Sequence, residues 1–344
     1  MADEPVHEQV DRLRRLVREH GGDLDAAART DDPLELAALL FDAVLTPDTN
    51  RYSLDEVARR AGVDPSTAQR LWRAMGFPDP PADEPLAGEL DVDALQLATS
   101  QMADADGVDN GVRQTRIYAA AVSRITELWV DELRRALDEG LPLADAAEAA
   151  LPMFDLERSN LLLGYVHRRL LAAGLRRELA SRSTGLRAAR AVAFADLVGF
   201  TTLTERLGPL ELSKVIEAFE ALAYDTVAVY GGRVVKTIGD EVLYTSEEPA
   251  KVLDISEAML DDAGSLGLPD LRIGIDCGTA VWYEGDLYGP AVNRAARIVA
   301  EAPPGAVVAS RSFAEATEDH TWAERGSTEL KGIGPVDLLE LCRG

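Results

Sequence analysis

Two aspartates, Asp196 and Asp240, are the residues of this sequence best placed to hold metal ions. Asp196 ends the apolar run AVAFADL, which predicts a buried strand, and Asp240 lies at the tip of a predicted hairpin, VVKTIGDEVLY. Charged residues at a strand end and at an adjacent hairpin tip can converge on one edge of a sheet. Two carboxylates there can hold a pair of divalent cations about 3.5–4 Å apart, which suits in-line attack at phosphorus. Taken singly, each aspartate is more typical of a cap or a turn.

Four motifs follow one another in the second half of the sequence: FADLVGFT, VVKTIGDE, GDLYGPAVNRAAR and ELKGIG. Together and in this order, they resemble the catalytic domain of class III adenylyl cyclases over roughly residues 188–342. The resemblance implies conversion of ATP to 3′,5′-cyclic AMP and pyrophosphate. It also implies Mg²⁺ or Mn²⁺, two ions per active site, bound by Asp196 and Asp240. Backbone amides at the helix start after Asp196 are predicted to bind phosphate oxygens, namely those of Val198, Gly199 and Phe200.

The resemblance also implies roles for five side chains. Lys236 and Asp286 match the pair that recognises the purine. Asn293 and Arg297, four residues apart on one helix face, match the pair that orients the ribose and stabilises the pentavalent phosphorus. Lys331 resembles the lysine that contacts the terminal phosphates. No side chain in the motifs is an obvious general base, so that role stays unassigned.

The hydrogen-bonding capacity of Lys236 and Asp286 favours adenine over guanine. Ionised Asp286 only accepts and Lys236 only donates, which complements the N6 amino group and the N1 acceptor of adenine. Guanine would place its O6 acceptor against the carboxylate. A site built around such a polar pair rejects an analogue that leaves its groups unpaired by ~10⁴-fold or more. The predicted substrate is therefore ATP.

A homodimer is a further implication of the resemblance. In the family each active site lies between two catalytic domains. The metal aspartates come from one domain, and the residues that bind the purine and the transition state come from the other. This sequence contains one complete set, so two copies would form two equivalent sites.

The elements that position these residues are predicted from the hydrophobic pattern. We expect an α+β fold, with a cyclase domain of the ferredoxin-like, or palm, type at 191–344 and an all-helical regulatory domain at 1–179. The stretch 180–190 is small and polar and is expected to be a linker. After it, mixed strands and helices indicate a sandwich in which helices cover one sheet face. Short apolar runs predict strands at 233–238, 241–245, 271–277 and 307–310, and longer segments predict helices at 209–230, 249–263 and 290–301.

Residues 52–77 resemble a helix-turn-helix, with a predicted capping box at Ser53 and Glu56. A DNA-binding role would place Arg70 and Arg73 at phosphates or bases. The formal net charge of −25 argues against this role, because nucleic acids and anionic membranes attract a basic field. We therefore interpret the segment as a packing unit and expect no nucleic-acid partner.

The first half of the sequence resembles the helical regulatory domain that precedes cyclase domains in actinobacterial enzymes. This weaker resemblance implies autoinhibition and a signal such as a fatty acid or acidic pH. The apolar run at 161–175 would line a lipid pocket or form a core or dimer helix, and the second interpretation is favoured. His167 lies in this run next to two arginines, but alone it identifies no sensor.

Composition sets the remaining limits. The 344 residues suit two domains, and no apolar run approaches the ~20 residues that span a bilayer. The N-terminus lacks the apolar core of a signal peptide, so a cytoplasmic protein without a transmembrane segment is expected. Two alternative functions stay open: a catalytically silent cyclase-like sensor, and a DNA-binding regulator controlled by nucleotide. The first predicts the loss of a motif residue, and the second predicts a basic stripe.

Overall fold

The chain forms two compact units, Met1–Leu171 and Ala172–Gly344. A computed structural model describes residues 6–46, 52–81, 84–100, 105–184 and 189–343. The predicted linker at 180–190 includes the last residues of a helix that ends at Thr184 and the first residues of a strand that begins at Ala189. Its residues 185–188 lie outside the described part.

The N-terminal unit is helical, as predicted. Its core forms where amphipathic helices bury their apolar stripes against one another, for example at Leu13, Val17, Leu36 and Leu40. Among the described residues, no helix combines the length and the apolar character needed to cross a bilayer. The helices are α1 (Val6–Glu19), α2 (Leu24–Arg29), α3 (Pro33–Leu45), α4 (Leu54–Ala61), α5 (Pro65–Ala74), α6 (Glu89–Thr99), α7 (Ala105–Asp138), α8 (Leu143–Ala150) and α9 (Leu156–Thr184), with a 3₁₀ turn at Leu151–Phe154. The residues of α9 from Ala172 onward belong to the C-terminal unit.

The helix-turn-helix segment consists of α4 and α5. The predicted capping box is present, because Ser53 Oγ accepts from the amide of Glu56 while the Glu56 carboxylate accepts from the amide of Ser53. Val57 and Leu71 are buried together with residues of α6 and the start of α7. The two helices therefore share a core with their neighbours, as expected for a packing unit.

The C-terminal unit is built on a seven-stranded sheet with the order β2-β3-β1-β4-β7-β9-β8. Only β4 and β7 pair in parallel, and β5 and β6 form a separate hairpin. The strands are β1 (Ala189–Leu197), β2 (Arg233–Ile238), β3 (Glu241–Ser246), β4 (Leu271–Thr279), β5 (Val281–Tyr283), β6 (Asp286–Tyr288), β7 (Val307–Ser310), β8 (Trp322–Leu330) and β9 (Gly334–Leu341). The helices are α10 (Phe200–Thr204), α11 (Pro209–Val229), α12 (Pro249–Ala263), α13 (Pro290–Glu301) and α14 (Arg311–Glu315).

Strand β1 is buried on both of its faces. Ala191, Ala193 and Ala195 pack with side chains of α11 and α12, whereas Val192 and Phe194 pack with α13. The expectation that helices cover only one sheet face was therefore wrong. The sequence AVAFADL indicates this burial on both faces, because such a strand has a continuous apolar run instead of alternating apolar and polar residues.

Candidate active site

The β-ladder brings the two predicted metal ligands to one corner of the sheet. Asp196 is directly opposite Glu241 on β3 and opposite Arg272 on β4. Asp240 precedes Glu241 in the β2–β3 turn, and its carbonyl accepts a 3.0 Å hydrogen bond from the amide of Leu197. We call Asp196, Asp240 and Glu241 the carboxylate corner. Arg272 donates from Nε to Asp196 Oδ2 at 2.6 Å.

Negative charge is in excess at the carboxylate corner. Burial raises the pKa of Asp196, the hydrogen bond and charge of Arg272 oppose this, and the charge of Asp240 adds to the rise. Burial, together with the charges of Asp196 and Asp240, raises the pKa of Glu241 to about 7. These shifts mean that the carboxylates repel one another and that one arginine does not compensate for all of them.

This set of donors fits divalent metal ions. Carboxylate oxygens are the ligands that Mg²⁺ and Mn²⁺ prefer. A cation would favour the ionised form of Asp196, whose pKa is raised by burial and, to a smaller extent, by the charge of Asp240. Glu241 and Arg272 were missed by the sequence interpretation. Glu241 directly follows Asp240, but strand register, which sets Arg272 beside Asp196, is not visible in a single sequence.

The predicted purine-recognising residues are in direct contact. Lys236 Nζ donates to Asp286 Oδ2 at 2.5 Å, and the amide of Leu287 donates to Asp286 Oδ1 at 2.8 Å. Burial raises the pKa of Asp286, but hydrogen bonds from Lys236 and Leu287 outweigh it, so the net pKa is lowered. Asp286 is therefore an ionised acceptor beside a fixed donor. It lies in the β5–β6 hairpin, where Glu284 and Gly285 both have positive φ, as a two-residue turn requires.

Helix α13 carries Asn293 and Arg297 on its exposed side. Its opposite side, including Ala291 and Ala295, packs on the sheet. Gly289 sets the start of the helix, because a Cβ there would lie 2.4 Å from the carbonyl oxygen of Thr279. The close approach that only glycine permits therefore positions the first turn against β4.

The predicted phosphate-binding groups differ in their surroundings. The amide of Val198 donates to the carbonyl of Asp270 at 2.8 Å, so the fold already uses it. Gly199 has the left-handed conformation that leads into Phe200, the first residue of α10. Lys331 is exposed in the β8–β9 turn, on the opposite edge of the sheet from Lys236. The structure therefore does not bring Lys331 to the purine-recognising pair within one chain.

A second group of possible metal ligands lies elsewhere in the C-terminal unit. Asp254 and Glu257 of α12 and His320 offer ligand atoms within 4.8 Å of one another. None of the site residues predicted from sequence belongs to this group.

In the N-terminal unit, the arginines that a DNA-binding role would use are paired with carboxylates. Arg70 contacts Asp109, and Arg73 donates from Nε to Asp79 at 2.7 Å. Contact with DNA at either arginine would have to replace one of these pairs. The same unit encloses a cavity of about 330 Å³, lined mainly by apolar side chains of α4 to α6. The run at 161–175 does not line it, and its leucines at 161, 162, 170 and 171 are exposed.

Known proteins resemble the chain over most of its length. The sequence profile of the adenylate and guanylate cyclase catalytic domain matches residues 188–340. An adenylate cyclase of Streptomyces coelicolor is 37% identical over 298 residues, covering 85% of this chain and 77% of that protein. A pH-sensitive adenylate cyclase of Mycobacterium tuberculosis is 31% identical, covering 97% of this chain and 88% of that protein. The crystal structure of an adenylyl cyclase from P. aeruginosa aligns with a TM-score of 0.43 and 20% identity, covering 46% of this chain and 95% of that chain.

Proposed function

Because the chain belongs to the class III adenylate cyclase family, we propose that it converts ATP to 3′,5′-cyclic AMP and pyrophosphate at a site shared by two copies of the chain. The observation that carries this proposal is the contact between Lys236 and Asp286. Fifty positions separate the two residues in sequence, and the fold joins them as a donor and an ionised acceptor. That pair complements the N6 and N1 atoms of adenine.

In the proposed reaction, the ribose 3′-oxygen attacks the α-phosphorus and pyrophosphate leaves. Asn293 orients the ribose, and Arg297 faces the charge that develops on the transferring phosphoryl group. Lys331 binds the terminal phosphates. Mg²⁺ or Mn²⁺, held by Asp196 and Asp240, would supply activation of the 3′-hydroxyl group and neutralisation of the triphosphate.

The orientation of α13 supports a site shared by two copies. Asn293 and Arg297 lie on the exposed side of α13, which faces away from the sheet. Side chains two residues apart on a strand point to the same face of the sheet. Asp196 is two residues after Phe194 and four after Val192 on β1, so it lies on the sheet face that α13 covers. Within one chain, the helix body separates these groups. A second copy presents its own α13 to the carboxylate corner.

Product analysis tests the activity. The full-length protein is incubated with ATP or GTP and with Mg²⁺ or Mn²⁺, and the products are separated by chromatography. The expected result is cyclic AMP from ATP and a much lower yield of cyclic GMP. Absence of any cyclic nucleotide under all conditions would contradict the proposal and favour the silent sensor.

A complementation experiment tests the shared site. Asp240→Ala and Lys236→Ala should each be nearly inactive, because each variant lacks one half of both sites. Mixed together, the two variants should regain activity through one intact site. A mixture that forms heterodimers, shown by two different affinity tags, yet stays inactive would rule out the shared site.

The N-terminal unit is proposed to regulate turnover, with its apolar cavity as a binding site for a lipid-like signal. A cavity of this size and lining suits an acyl chain. The test adds a fatty acid to the full-length protein and measures turnover. Ala94, which lines the cavity but is exposed, offers a variant that fills it, Ala94→Trp. The variant should keep basal turnover and lose the response, whereas a response that persists would exclude the cavity.

A further inference from the structure

A second aspartate–arginine pair lies beneath the helix that carries Asn293 and Arg297. Asp276 of β4 is fully buried, and its Oδ2 accepts a 2.6 Å hydrogen bond from Nε of Arg294 on α13. Well-packed apolar residues often replace a buried ion pair without loss of stability. Stability alone therefore does not account for this pair.

The other carboxylate oxygen of Asp276 is also held. Ser310 Oγ donates to Asp276 Oδ1, and Ser312 Oγ approaches the same atom at 3.3 Å. Ser310 ends β7 and caps α14, where its hydroxyl also accepts from the amide of Phe313. The carboxylate thus joins α13 on one side to the β7–α14 junction on the other. A carboxylate held at both oxygens has little freedom to rotate.

The surface of β4 on either side of Asp276 is flat. A Cβ at Gly274 would lie 2.1 Å from the backbone nitrogen of Val299, and one at Gly278 would lie 3.2 Å from Arg294 Nη2. Residues 274, 276 and 278 share one strand face, so α13 lies against bare backbone before and after the aspartate. Van der Waals contact with such a flat surface fixes the distance between the helix and the sheet. It gives only weak resistance to sliding or rotation of the helix on that surface. The hydrogen-bonded Asp276–Arg294 pair connects the two elements at a defined point.

We propose that Asp276 and Arg294 are positioning residues, which fix the axial setting and rotation of α13 and so hold Asn293 and Arg297 at the reacting phosphate. This inference rests on the proposed cyclase function. Arg294 is adjacent to Asn293 and about one helical turn before Arg297. A misplacement of about 1 Å in such groups lowers turnover by up to ~10²-fold.

Steady-state kinetics on the full-length protein test the proposal with Asp276→Asn, Arg294→Gln and Arg294→Lys. Asp276→Asn and Arg294→Gln should lower kcat by roughly 10- to 100-fold and change the KM for ATP by less than about threefold. KM is spared because Lys236 and Asp286 lie on other elements. Arg294→Lys should recover part of kcat, since it keeps the charge. A change in KM alone, or no change in kcat, would overturn the proposal.

The matched control is Arg325→Gln. It removes another arginine–carboxylate pair of the same unit, Arg325 with Glu340 on β8 and β9. This pair joins β8 to β9 and does not connect β4 to α13, so kcat should stay at the wild-type value. An equal loss of kcat in the control would show that loss of any such pair is sufficient and would overturn the assignment.

A double-mutant cycle shows whether Asp276 acts through α13. If it does, Asp276→Asn should cost much less kcat in an Arg297→Ala background than in the wild type, because the group it positions is already gone. Equal fold-losses in the two backgrounds would mean that Asp276 acts independently of Arg297, which contradicts a positioning role.

Hydrogen–deuterium exchange separates this inference from the proposed function. Amides of residues 290–301 should exchange at least several-fold faster in Arg294→Gln and Asp276→Asn, while those of β1 stay unchanged. Unchanged exchange in α13 would overturn the inference even if the wild type makes cyclic AMP. Conversely, faster exchange in a protein that makes no cyclic nucleotide would support the fixing of α13 by Asp276 and Arg294 and contradict only the cyclase proposal.

Discussion

Two aspartate–arginine pairs share one face of the sheet, and they differ in the charge that surrounds them. Asp196 with Arg272 and Asp276 with Arg294 have the same Nε–Oδ2 distance of 2.6 Å. Around the first pair lie two further carboxylates, which raise the local negative charge. Around the second pair the additional partners are two serine hydroxyl groups, which are neutral. Only the first pair therefore has charge left for a ligand to neutralise.

The two pairs lie close together in one chain, although the shared-site proposal assigns them to the two different active sites. Arg272 and Asp276 are four residues apart on β4, which corresponds to ~13 Å along the strand. Arg272 also reaches the carbonyl of Ala300 near the end of α13, at 3.4 Å. An aspartate–arginine contact by itself thus indicates neither binding nor positioning. The surplus or balance of charge around it distinguishes the two roles.

The largest expected effect comes from removing one charge at the carboxylate corner. Asp240→Asn should lower kcat on the order of 10³-fold, because a metal ligand is lost. Its free energy of unfolding should stay within about 0.5 kcal/mol of the wild type, since mutual repulsion falls at the same time. Kinetics and urea unfolding measure the two quantities. A large loss of stability in Asp240→Asn would show that the corner is a structural site like the Asp276 pair.

Metal binding should stabilise the protein through the carboxylate corner alone. Mn²⁺ at 100 times its Kd should add about 2.7 kcal/mol to the free energy of unfolding, and EDTA should reverse the gain. Thermal unfolding with and without Mn²⁺ measures it. Asp196→Asn should lose the gain, whereas the control Asp254→Asn, in the second acidic group, should keep it. If Asp254→Asn instead lost the gain and Asp196→Asn kept it, the metal site would be the acidic group of α12.

A smaller effect is expected at the two glycines beneath α13. Gly274→Ala places a Cβ against the helix backbone and should cost roughly 2 kcal/mol of stability together with part of kcat. Gly278→Ala comes close to the end of the flexible Arg294 side chain, makes an ordinary contact with Ala291, and should cost less than about 1 kcal/mol. Urea unfolding of both variants makes the comparison. Equal costs would mean that α13 does not depend on its close contact with β4.

The smallest effect concerns the pH dependence of the Lys236–Asp286 pair, which is partly exposed. Because the folded-state pKa of Asp286 is lowered, the pair stabilises the protein above the unfolded pKa of about 3.9 and loses this contribution as pH falls through the folded value. Asp286→Asn should therefore be less stable by up to about 1 kcal/mol at pH 6, and the difference should shrink as the pH falls below about 3.9. Unfolding at several pH values tests this. A difference that grows towards low pH would contradict the lowered pKa.

Much of the catalytic unit could be predicted from sequence because its signals are local. The hairpin of Lys236 and Asp240 and the helix of Asn293 and Arg297 each depend on residues a few positions apart, as does the capping box at Ser53 in the N-terminal unit. Turn geometry and helix periodicity act over that range. Helices on both faces of the sheet were not expected, although the continuous apolar run of β1 indicates them.

The sequence by itself determined which residue types are available for the proposed adenine recognition, metal binding and phosphoryl transfer, because each motif is short and keeps its spacing. Tertiary structure alone decided which of them meet. Pairing of β1 with β3 and β4 sets Glu241 and Arg272 beside Asp196 and uses the amide of Val198 within the fold. Close packing of α13 on β4 buries Asp276 against Arg294. Strand register and helix docking depend on contacts between distant parts of the chain, and a single sequence does not encode them in any local pattern.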